Sequence, residues 1–232
     1  MMNIPNGLNV SDKAGCSSGF KPSSVKAGIV LNAATTVFLR HGFSAATTDM
    51  IQREAGVSKA TVYACFASKE ALFAAVIEQE CARLMRTIRT IDAQSRGLRV
   101  TLTDIGHDYL NVILSPTGLA LYRVIVAEAP RFPEQARLFY LAGPKVVSDL
   151  LARHIGYFVE TDQLQLKGIG VGDATKVLVN LLRHDAQLEL LTHPDSRPSA
   201  AQIDHWVALA VNTFLFAFAP EPPAGWAGAV AN

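Results

Sequence analysis

The sequence predicts an all-α protein, and three observations lead to that prediction. Apolar residues recur every three or four positions along most of the chain, which is the period of a helix that buries one face. No segment alternates apolar and polar residues in the way that a half-buried strand does. Half of the 232 residues are hydrophobic and 18% are charged, a balance that excludes a wholly disordered chain and allows a core without disulfides.

The N-terminal part of the chain is predicted to be an arm followed by four helices. Residues 1–22 are rich in Asn, Gly and Ser, which favours a mobile arm. Helical spacing begins at Val25 and continues to His41, and Gly42 is expected to end that helix in a left-handed conformation. Capping residues before apolar runs predict three more helices, from Thr47 or Thr48 to Ala55, from Lys59 to Phe66, and from Ser68 to near Arg96.

Prolines and glycines divide the rest of the chain into further helices, predicted at 98–114, 118–129, 133–154, 173–191 and 200–218. Pro144 is expected to kink or split its helix, because proline has no backbone N–H to donate. The segment 205–219 is apolar on nearly every face and must be covered on all sides. A second subunit is favoured as that cover over the alternative, a central core helix of a monomer.

Composition narrows the class of protein further. No apolar stretch is long enough to span a bilayer, and the first twenty residues lack the pattern of a signal peptide. We therefore expect a cytoplasmic location and no membrane partner. The three cysteines are Cys16, Cys65 and Cys81, whose wide spacing predicts neither a disulfide framework nor a zinc site, and no cofactor is expected.

Residues 42–73 have the pattern of a helix-turn-helix. Ile51 and Ala55 face inward on the first short helix, Gly56 makes the turn, and Val62 and Phe66 bury the second helix. That arrangement leaves small, hydroxylated or cationic side chains exposed at the start of the second helix, namely Ser58, Lys59, Ala60, Thr61 and Tyr63. Such a surface fits a DNA major groove, because small side chains allow close approach while hydroxyls and Lys reach phosphates and base edges.

The charge distribution supports a polyanionic partner for the same unit. Residues 20–70 carry six basic and three acidic side chains, whereas the rest of the chain after residue 70 carries 14 basic and 16 acidic ones. The excess is small, since the whole chain has a net charge of only +1. A protein that packages DNA without specificity would be much more basic than this.

This stretch resembles the DNA-binding domain of the TetR family of transcriptional regulators, from about Val25 to Ile77. The resemblance is carried by the blocks Gly42-Phe43, Thr47-Thr48, Ala55-Gly56-Val57-Ser58-Lys59, Thr61-Val62-Tyr63, Phe66 and Ser68-Lys69-Glu70-Ala71-Leu72-Phe73. It implies an all-helical homodimer that binds operator DNA through its N-terminal helices and senses a small ligand with its C-terminal domain. The stretch from Leu121 to Pro133 is similar to the C-terminal domain of one subset of these regulators.

The resemblance also implies roles for single residues. Thr48, Tyr63 and Lys69 would contact phosphates, and the residues from Ser58 to Thr61 would lie over base edges. The family often has His or another hydrogen-bonding residue where Cys65 stands, so Cys65 is interpreted as a packing residue, with a redox role left open. The expected domains are an arm at 1–22, a helix-turn-helix DNA-binding domain at 23–68, a helical ligand-binding and dimerisation domain at 69–219, and a tail at 220–232. The homodimer is expected to form through helices 173–191 and 200–218.

Aromatic and polar side chains on helices 98–114, 118–129 and 133–154 are candidates for the wall of an effector pocket, although each also suits core packing or a structural ion pair. These candidates are His107, Tyr109, Tyr122, Arg123, Glu128, Phe132 and Phe139. The expected function is a repressor that a small molecule releases from its operator. The alternative is an all-α enzyme or metal-binding protein that uses Asp104, His107 and Asp108, which share one helical face by their spacing.

Overall fold

The computed structural model describes residues 25–88 and 96–220, and within these ranges the chain is helical, with no strand. The helices are α1 (Val25–Ala45), α2 (Thr48–Ala55), α3 (Lys59–Cys65), α4 (Lys69–Ile88), α5 (Leu98–Ile113), α6 (Pro116–Glu128), α7 (Pro133–Ala142), α8 (Pro144–Glu160), α9 (Val171–Arg183), α10 (Ala186–Thr192) and α11 (Ala200–Phe218). The predicted all-α fold is confirmed. The predicted arm at 1–22, the segment 89–95 that precedes the predicted end of the long helix, and all but Pro220 of the predicted tail lie outside the described residues.

Two helices differ from their predicted spans near the N-terminus and the middle of the chain. Gly42 interrupts the helical backbone of α1 at a positive φ of 77, as expected, but its ψ of 170 lies outside the left-handed helical region, and α1 resumes beyond it and ends at Ala45. The predicted helix 133–154 is split at Pro144 into α7 and α8, and α8 runs on to Glu160. Gly143 separates the two helices because Pro144 can begin a helix but cannot continue one.

The prediction of a single helix at 173–191 is wrong. The chain breaks at His184, whose φ is 28, and forms the separate helices α9 and α10. At the break, the backbone N–H groups of Asp185 and Ala186 have no helical carbonyl to donate to. They donate instead to Nδ1 of the His184 imidazole, over 2.8 and 3.2 Å. The same ring packs edge-on against Trp206 of α11, with centroids 5.0 Å apart.

A first hydrophobic core joins α1, α2, α3 and the first part of α4. Three rings lie at its centre, those of Phe38, Phe43 and Phe73, with centroids between 4.7 and 5.8 Å apart. Helix α6 also belongs to this core, since it contributes Leu121 and other buried side chains. The N-terminal unit is therefore packed directly against the helices that follow it.

A second core lies among α5, α8, α9 and α11, with Phe158 and Phe214 fully buried inside it. Helix α5 packs against α11, and α9 packs against both α8 and α11. Helices α4 and α7 pack against each other and connect the two cores. The space between these two cores is where the internal cavity described below is found.

The helices are individually too short or too polar for a membrane span. Across the described ranges, no single helix is long and apolar enough to cross a bilayer. Two bent pairs, Lys59–Cys65 with Lys69–Arg83 and Leu98–Ile113 with Pro116–Glu128, meet the criteria of length and composition only when each pair is counted together.

Candidate nucleic-acid interface and internal cavity

The turn between α2 and α3 is fixed by local hydrogen bonds. The side chain of Thr47 accepts a hydrogen bond from the backbone N–H of Met50 and so caps α2. Gly56 ends α2 in the left-handed region, with φ 64 and ψ 32, which costs glycine little. Ser58 then caps α3 by accepting from the backbone N–H of Thr61 at 3.1 Å. These residues together set the angle between the two helices.

Helix α3 buries one face and exposes the other. Val62 is only 1% exposed and packs into the first core. On the opposite side Ser58, Lys59 and Ala60 are exposed, and Tyr63 is 48% exposed. The side chains that sequence reasoning assigned to DNA are therefore accessible at the start of α3.

Short contacts join these exposed side chains into one surface. The hydroxyls of Ser58 and Thr61 lie 2.9 Å apart, and those of Thr48 and Tyr63 lie 3.4 Å apart. The hydrogen bond to Asp49, at 2.9 Å, and the charge of that carboxylate raise the pKa of Lys59. We name Thr48, Ser58, Lys59, Ala60, Thr61 and Tyr63 the reader surface. It combines hydroxyl donors, one cation and a methyl group, which is the chemistry that contacts phosphates and base edges.

Lys69 is the predicted DNA-contacting residue that has no described contact to the reader surface. Its ammonium donates to the backbone carbonyl of Ser44 at 3.2 Å and lies 4.5 Å from the centroid of the Phe43 ring. Partial burial lowers the pKa of Lys69. The side chain thus fastens the start of α4 to the end of α1.

Glu128 at the end of α6 bonds to the same serine. Its carboxylate accepts from the backbone N–H of Ser44 at 2.7 Å and from the Ser44 hydroxyl at 2.6 Å. Burial by itself would raise the pKa of Glu128, but the two hydrogen bonds from Ser44 and the nearby Arg131 and Lys69 outweigh burial, and the pKa is lowered. We name Ser44, Lys69 and Glu128 the interdomain clamp, because it ties the DNA-binding helices to α6.

A cavity of about 260 Å³ lies between the two cores, with walls from α4 to α10. Three of the candidate effector residues line it, namely Tyr109, Tyr122 and Phe139. Cys81 and Met85 of α4 line it as well, so the helix that begins at the clamp also reaches the cavity. Concave sites with mostly apolar walls and a few polar groups are typical of small-molecule binding.

The other four candidate effector residues lie outside the cavity wall. His107 bonds through Nε2 to Asp204 of α11 at 2.9 Å, and Arg123 donates to the backbone carbonyls of Leu190 and Leu191 at 2.6 and 3.1 Å. Glu128 belongs to the interdomain clamp. Phe132 packs edge-on against Phe43 with centroids 4.5 Å apart. Each of the four therefore joins helices and does not line this cavity, and a role for them in effector binding stays a prediction.

Sequence reasoning missed the polar side of the cavity, which comes from α9 and α10. The missed residues are Lys176, Asn180, Arg183 and Gln187. In a continuous helix, their spacing of 4, 3 and 4 positions would place them on one stripe, a signal that is visible in the sequence. The sequence favours a subunit interface for this stretch, and it does not reveal that these polar residues line a cavity.

The alternative site at Asp104, His107 and Asp108 is not assembled. Asp104 is paired with Arg96 at 2.7 Å, and His107 bonds to Thr103 and Asp204. Burial raises the pKa of Asp108, with the charge of Asp104 contributing in the same direction. The residues that the structure describes contain no group of three or more His, Cys, Asp or Glu side chains arranged to hold a metal ion.

The two described cysteines differ in their surroundings. Cys65 is half-buried at the end of α3 and packs against the first core, in keeping with a packing residue. Cys81 is buried beside the cavity, and burial raises the pKa of its thiol to about 12, so the thiol is protonated at neutral pH.

Comparison with known proteins agrees with both parts of this geometry. A family model described as "Bacterial regulatory proteins, tetR family" matches residues 30–76, and one described as "AefR-like transcriptional repressor, C-terminal domain" matches residues 100–220. The solved structure of the flavonoid-responsive regulator FrrA is 35% identical, with a TM-score of 0.72 over 84% of this chain and 98% of that one. A TetR-family regulator from Pseudomonas syringae pv. tomato str. DC3000 is 25% identical, with a TM-score of 0.69 over 86% of this chain and 100% of its own.

A relative of known regulatory type matches as well. The HTH-type transcriptional activator FasR of Mycolicibacterium smegmatis (strain ATCC 700084 / mc(2)155) is 28% identical over 154 residues, which are 65% of this chain and 68% of that protein. Members of the family bind operator DNA and small-molecule effectors and act as dimers. The chain therefore belongs to the TetR family, and it is a ligand-responsive DNA-binding transcriptional regulator and not an enzyme.

Proposed function

We propose that this regulator is a homodimeric repressor that reads its operator with the reader surface. The observation that carries the proposal is the exposed start of α3, held at a fixed angle by the caps at Thr47 and Ser58 and the turn at Gly56. Ser58, Lys59, Ala60 and Thr61 lie over base edges, while Thr48, Tyr63 and Lys69 contact phosphates on either side. For this contact the Lys69 ammonium, which lies 4.5 Å from the centroid of the Phe43 ring, turns outward to the phosphate.

The homodimer forms through α9, α10 and α11, which correspond to the helices predicted at 173–191 and 200–218. Large apolar side chains on these helices are exposed in the single chain, with Leu188 at 65%, Leu209 at 55% and Phe216 at 51%. Exposed apolar residues on adjacent helices favour a subunit interface. Two subunits would place their reader surfaces in major grooves one helical turn, or a small multiple of it, apart.

The internal cavity is the effector site in this proposal. Its volume of about 260 Å³ is near the lower end of the roughly 300–1,000 Å³ that is typical of small-molecule sites. The similarity to FrrA makes an aromatic molecule of the flavonoid type a reasonable first effector to test. Tyr109, Tyr122 and Phe139 offer aromatic surface to such a molecule.

Two elements connect the cavity to the reader surface. Helix α4 runs from Lys69 in the clamp to Cys81 and Met85 in the cavity wall. Helix α6 runs from Tyr122 in the cavity wall to Glu128 in the clamp. An effector that binds more tightly when α4 is tilted would change the separation of the two reader surfaces, so that they no longer fit the two major grooves. A coupling free energy of about 1–3 kcal/mol between effector binding and DNA binding is sufficient for regulation.

The proposal includes repression and a cytoplasmic location. The C-terminal family description names a repressor, which supports release from the operator on effector binding, whereas FasR shows that a relative can be an activator. Access to chromosomal DNA requires the cytoplasm. A reporter fused to the regulated promoter distinguishes the two regulatory types, because deletion of a repressor raises expression and deletion of an activator lowers it.

A gel-shift experiment tests the proposal. The probe is DNA from immediately upstream of the gene for this chain, at physiological salt, with random DNA of equal length as competitor. We expect a specific complex that a flavonoid such as naringenin, or another small aromatic molecule, reduces. Binding that never exceeds binding to random DNA would contradict the proposed function.

A further inference from the structure

Three polar side chains of the cavity wall come from α5, α9 and α10. Arg183 on α9 donates Nε–H and Nη2–H to the hydroxyl of Tyr109 on α5, over 3.3 and 3.0 Å. Gln187 on α10 lines the same cavity and is only 7% exposed. We name Tyr109, Arg183 and Gln187 the polar end of the cavity.

The polar end has more hydrogen-bond donors than acceptors. A guanidinium carries five N–H donors, and the Tyr109 hydroxyl accepts two of those of Arg183. Among the described residues, none accepts the remaining donors of Arg183, the hydroxyl hydrogen of Tyr109 or the amide hydrogens of Gln187. These donors are not sealed from solvent, since among the described residues the buried side-chain polar atom without a partner is the Thr101 hydroxyl oxygen. They face a cavity that they line, and a ligand oxygen in it could accept from them.

The cavity wall also carries an uncompensated positive charge. Its lining, as far as the structure describes it, contains the cations Lys176 and Arg183 and no carboxylate. Lys176 is paired with Asp173 at 2.8 Å. Arg183 lies within ion-pair distance of no described Asp or Glu side chain, so its charge remains available to a ligand.

The remainder of the wall is aromatic or aliphatic. The rings of Tyr122 and Phe139 lie 6.3 Å apart at 72° to each other, and Tyr140 lines the wall beside them. Met85 and Leu121 are among the other apolar side chains of the wall. A volume of about 260 Å³ suits a small aromatic ligand.

We infer that the cavity selects a small aromatic carboxylate, whose oxygens are held by Arg183, Tyr109 and Gln187. The inference rests on the proposed function, in which the cavity holds the effector. A planar carboxylate matches the remaining edge of the Arg183 guanidinium, formed by Nη1 and Nη2, in bidentate geometry, and a carboxylate oxygen can also accept from the tyrosine hydroxyl. A neutral aromatic of the same shape would desolvate these donors without pairing them fully.

Naphthoate and naphthamide form the test pair, because they have the same shape and differ by one negative charge. Titration calorimetry on the full-length dimer near neutral pH measures both affinities. We expect naphthoate to bind about tenfold or more tightly than naphthamide, as charge-assisted hydrogen bonds exceed neutral ones by that order. Arg183→Met is expected to remove this preference while naphthamide affinity stays within about twofold.

Lys176→Met is the matched control, since Lys176 is a cation of the same wall that already has a carboxylate partner. This variant is expected to keep the preference for naphthoate. Arg183→Lys retains the charge but lacks the planar pair of N–H donors of a guanidinium, and it is expected to show an intermediate preference for naphthoate. The naphthamide affinity of each variant reports whether the cavity is intact, and Arg183→Lys keeps the test valid if Arg183→Met does not fold.

Three results would overturn the inference: equal affinities for the two compounds, a preference that survives in Arg183→Met, or no binding of either compound. Failure of the proposed function is recognised separately in the gel shift. If naphthoate is preferred but never changes DNA binding, the selectivity stands and the cavity is not the effector site. If a neutral aromatic releases the DNA and binds as tightly as its acid, the effector role stands and the selectivity is wrong.

Discussion

Lys59 illustrates at the residue scale how the reader surface is prepared for a polyanion. Its ammonium lies 2.9 Å from Asp49, and about half of each side chain is exposed, so polyanionic DNA competes with Asp49 for the same cation. Replacement of Lys59 by Met removes one cation from each subunit, and so about two released counterions per bound dimer. We therefore expect the slope of log affinity against log salt to become shallower by about two. Fluorescence anisotropy of a labelled operator over a range of salt concentrations measures this slope.

Lys145→Met is the matched control for this prediction. Lys145 is 48% exposed and pairs with Asp149 at 2.6 Å, but it lies on α8 outside the reader surface. Its removal is expected to leave the salt slope unchanged. Equal slopes for wild type and Lys59→Met would mean that Lys59 does not contact DNA.

Glu128 is the residue on which the interdomain clamp depends. Gln at this position keeps one acceptor oxygen and loses the charge, so we expect Glu128→Gln to lower the free energy of unfolding by about 1 kcal/mol near neutral pH. Glu134→Gln is the control, because Glu134 is an exposed carboxylate in the first turn of α7. Urea unfolding followed by circular dichroism measures both values.

The same carboxylate predicts a pH dependence. The pKa of Glu128 is lowered in the folded state, so its contribution to stability is fully present above the ordinary carboxyl value of about 4.3 and is lost as the pH falls through the lowered value. Glu128→Gln should therefore reduce the loss of stability on acidification in that window. If the free energy of unfolding fell in parallel for wild type and Glu128→Gln as the pH is lowered, Glu128 would not supply this pH-dependent contribution to stability.

Residue roles were predictable from the sequence where their partners are close in the chain. The hydrogen bonds of Ser58 and Gly56 are to residues three or four positions away in the chain, so a sequence motif is sufficient to assign their roles. The sequence predicts Glu128 only as a pocket candidate, because its partner in the clamp, Ser44, is 84 positions away. Arg183 was missed for a similar reason, since Tyr109 is 74 positions away and periodicity does not reveal which buried faces meet.

At the scale of elements, the α2–α3 turn depends on the backbone of Gly56. A Cβ at Gly56 or at Gly156 would meet no atom within 4 Å, but only Gly56 has a positive φ, at 64. Gly56→Ala is therefore expected to destabilise the protein by about 1 kcal/mol. Gly156→Ala in the interior of α8 is expected to stabilise it by about 0.5 to 1 kcal/mol. Thermal unfolding of the two variants should give shifts of opposite sign, and shifts of the same sign would contradict the prediction.

Element boundaries were predictable wherever Pro, Gly or a capping residue marks them. Pro116, Pro133 and Pro144 each occupy the first turn of a helix, where proline is tolerated. The break between α9 and α10 has no such marker. It depends on His184, which satisfies two backbone N–H groups and packs on Trp206, an arrangement that exists only in the folded chain.

At the scale of the whole molecule, the account requires two subunits. Leu209→Glu places a charge at the centre of the proposed interface on α11, where burial against a partner would be costly. We expect this variant to sediment as a monomer and to lose specific DNA binding. Val126→Glu is the control, since Val126 is equally exposed, at 55%, but lies on α6. If the Leu209→Glu variant were still a dimer, the subunit interface would not include this part of α11.

The central claim, that paired copies of the reader surface recognise DNA sequence, is tested most directly by selection of bound duplexes from a random library at physiological salt. The account predicts enrichment of one sequence with two-fold symmetry, whose half-sites are separated by one helical turn or a small multiple of it. Thr61→Ala should change the bases enriched within each half-site and leave their spacing unaltered. No enrichment over the starting library, or an enriched site without two-fold symmetry, would contradict the claim.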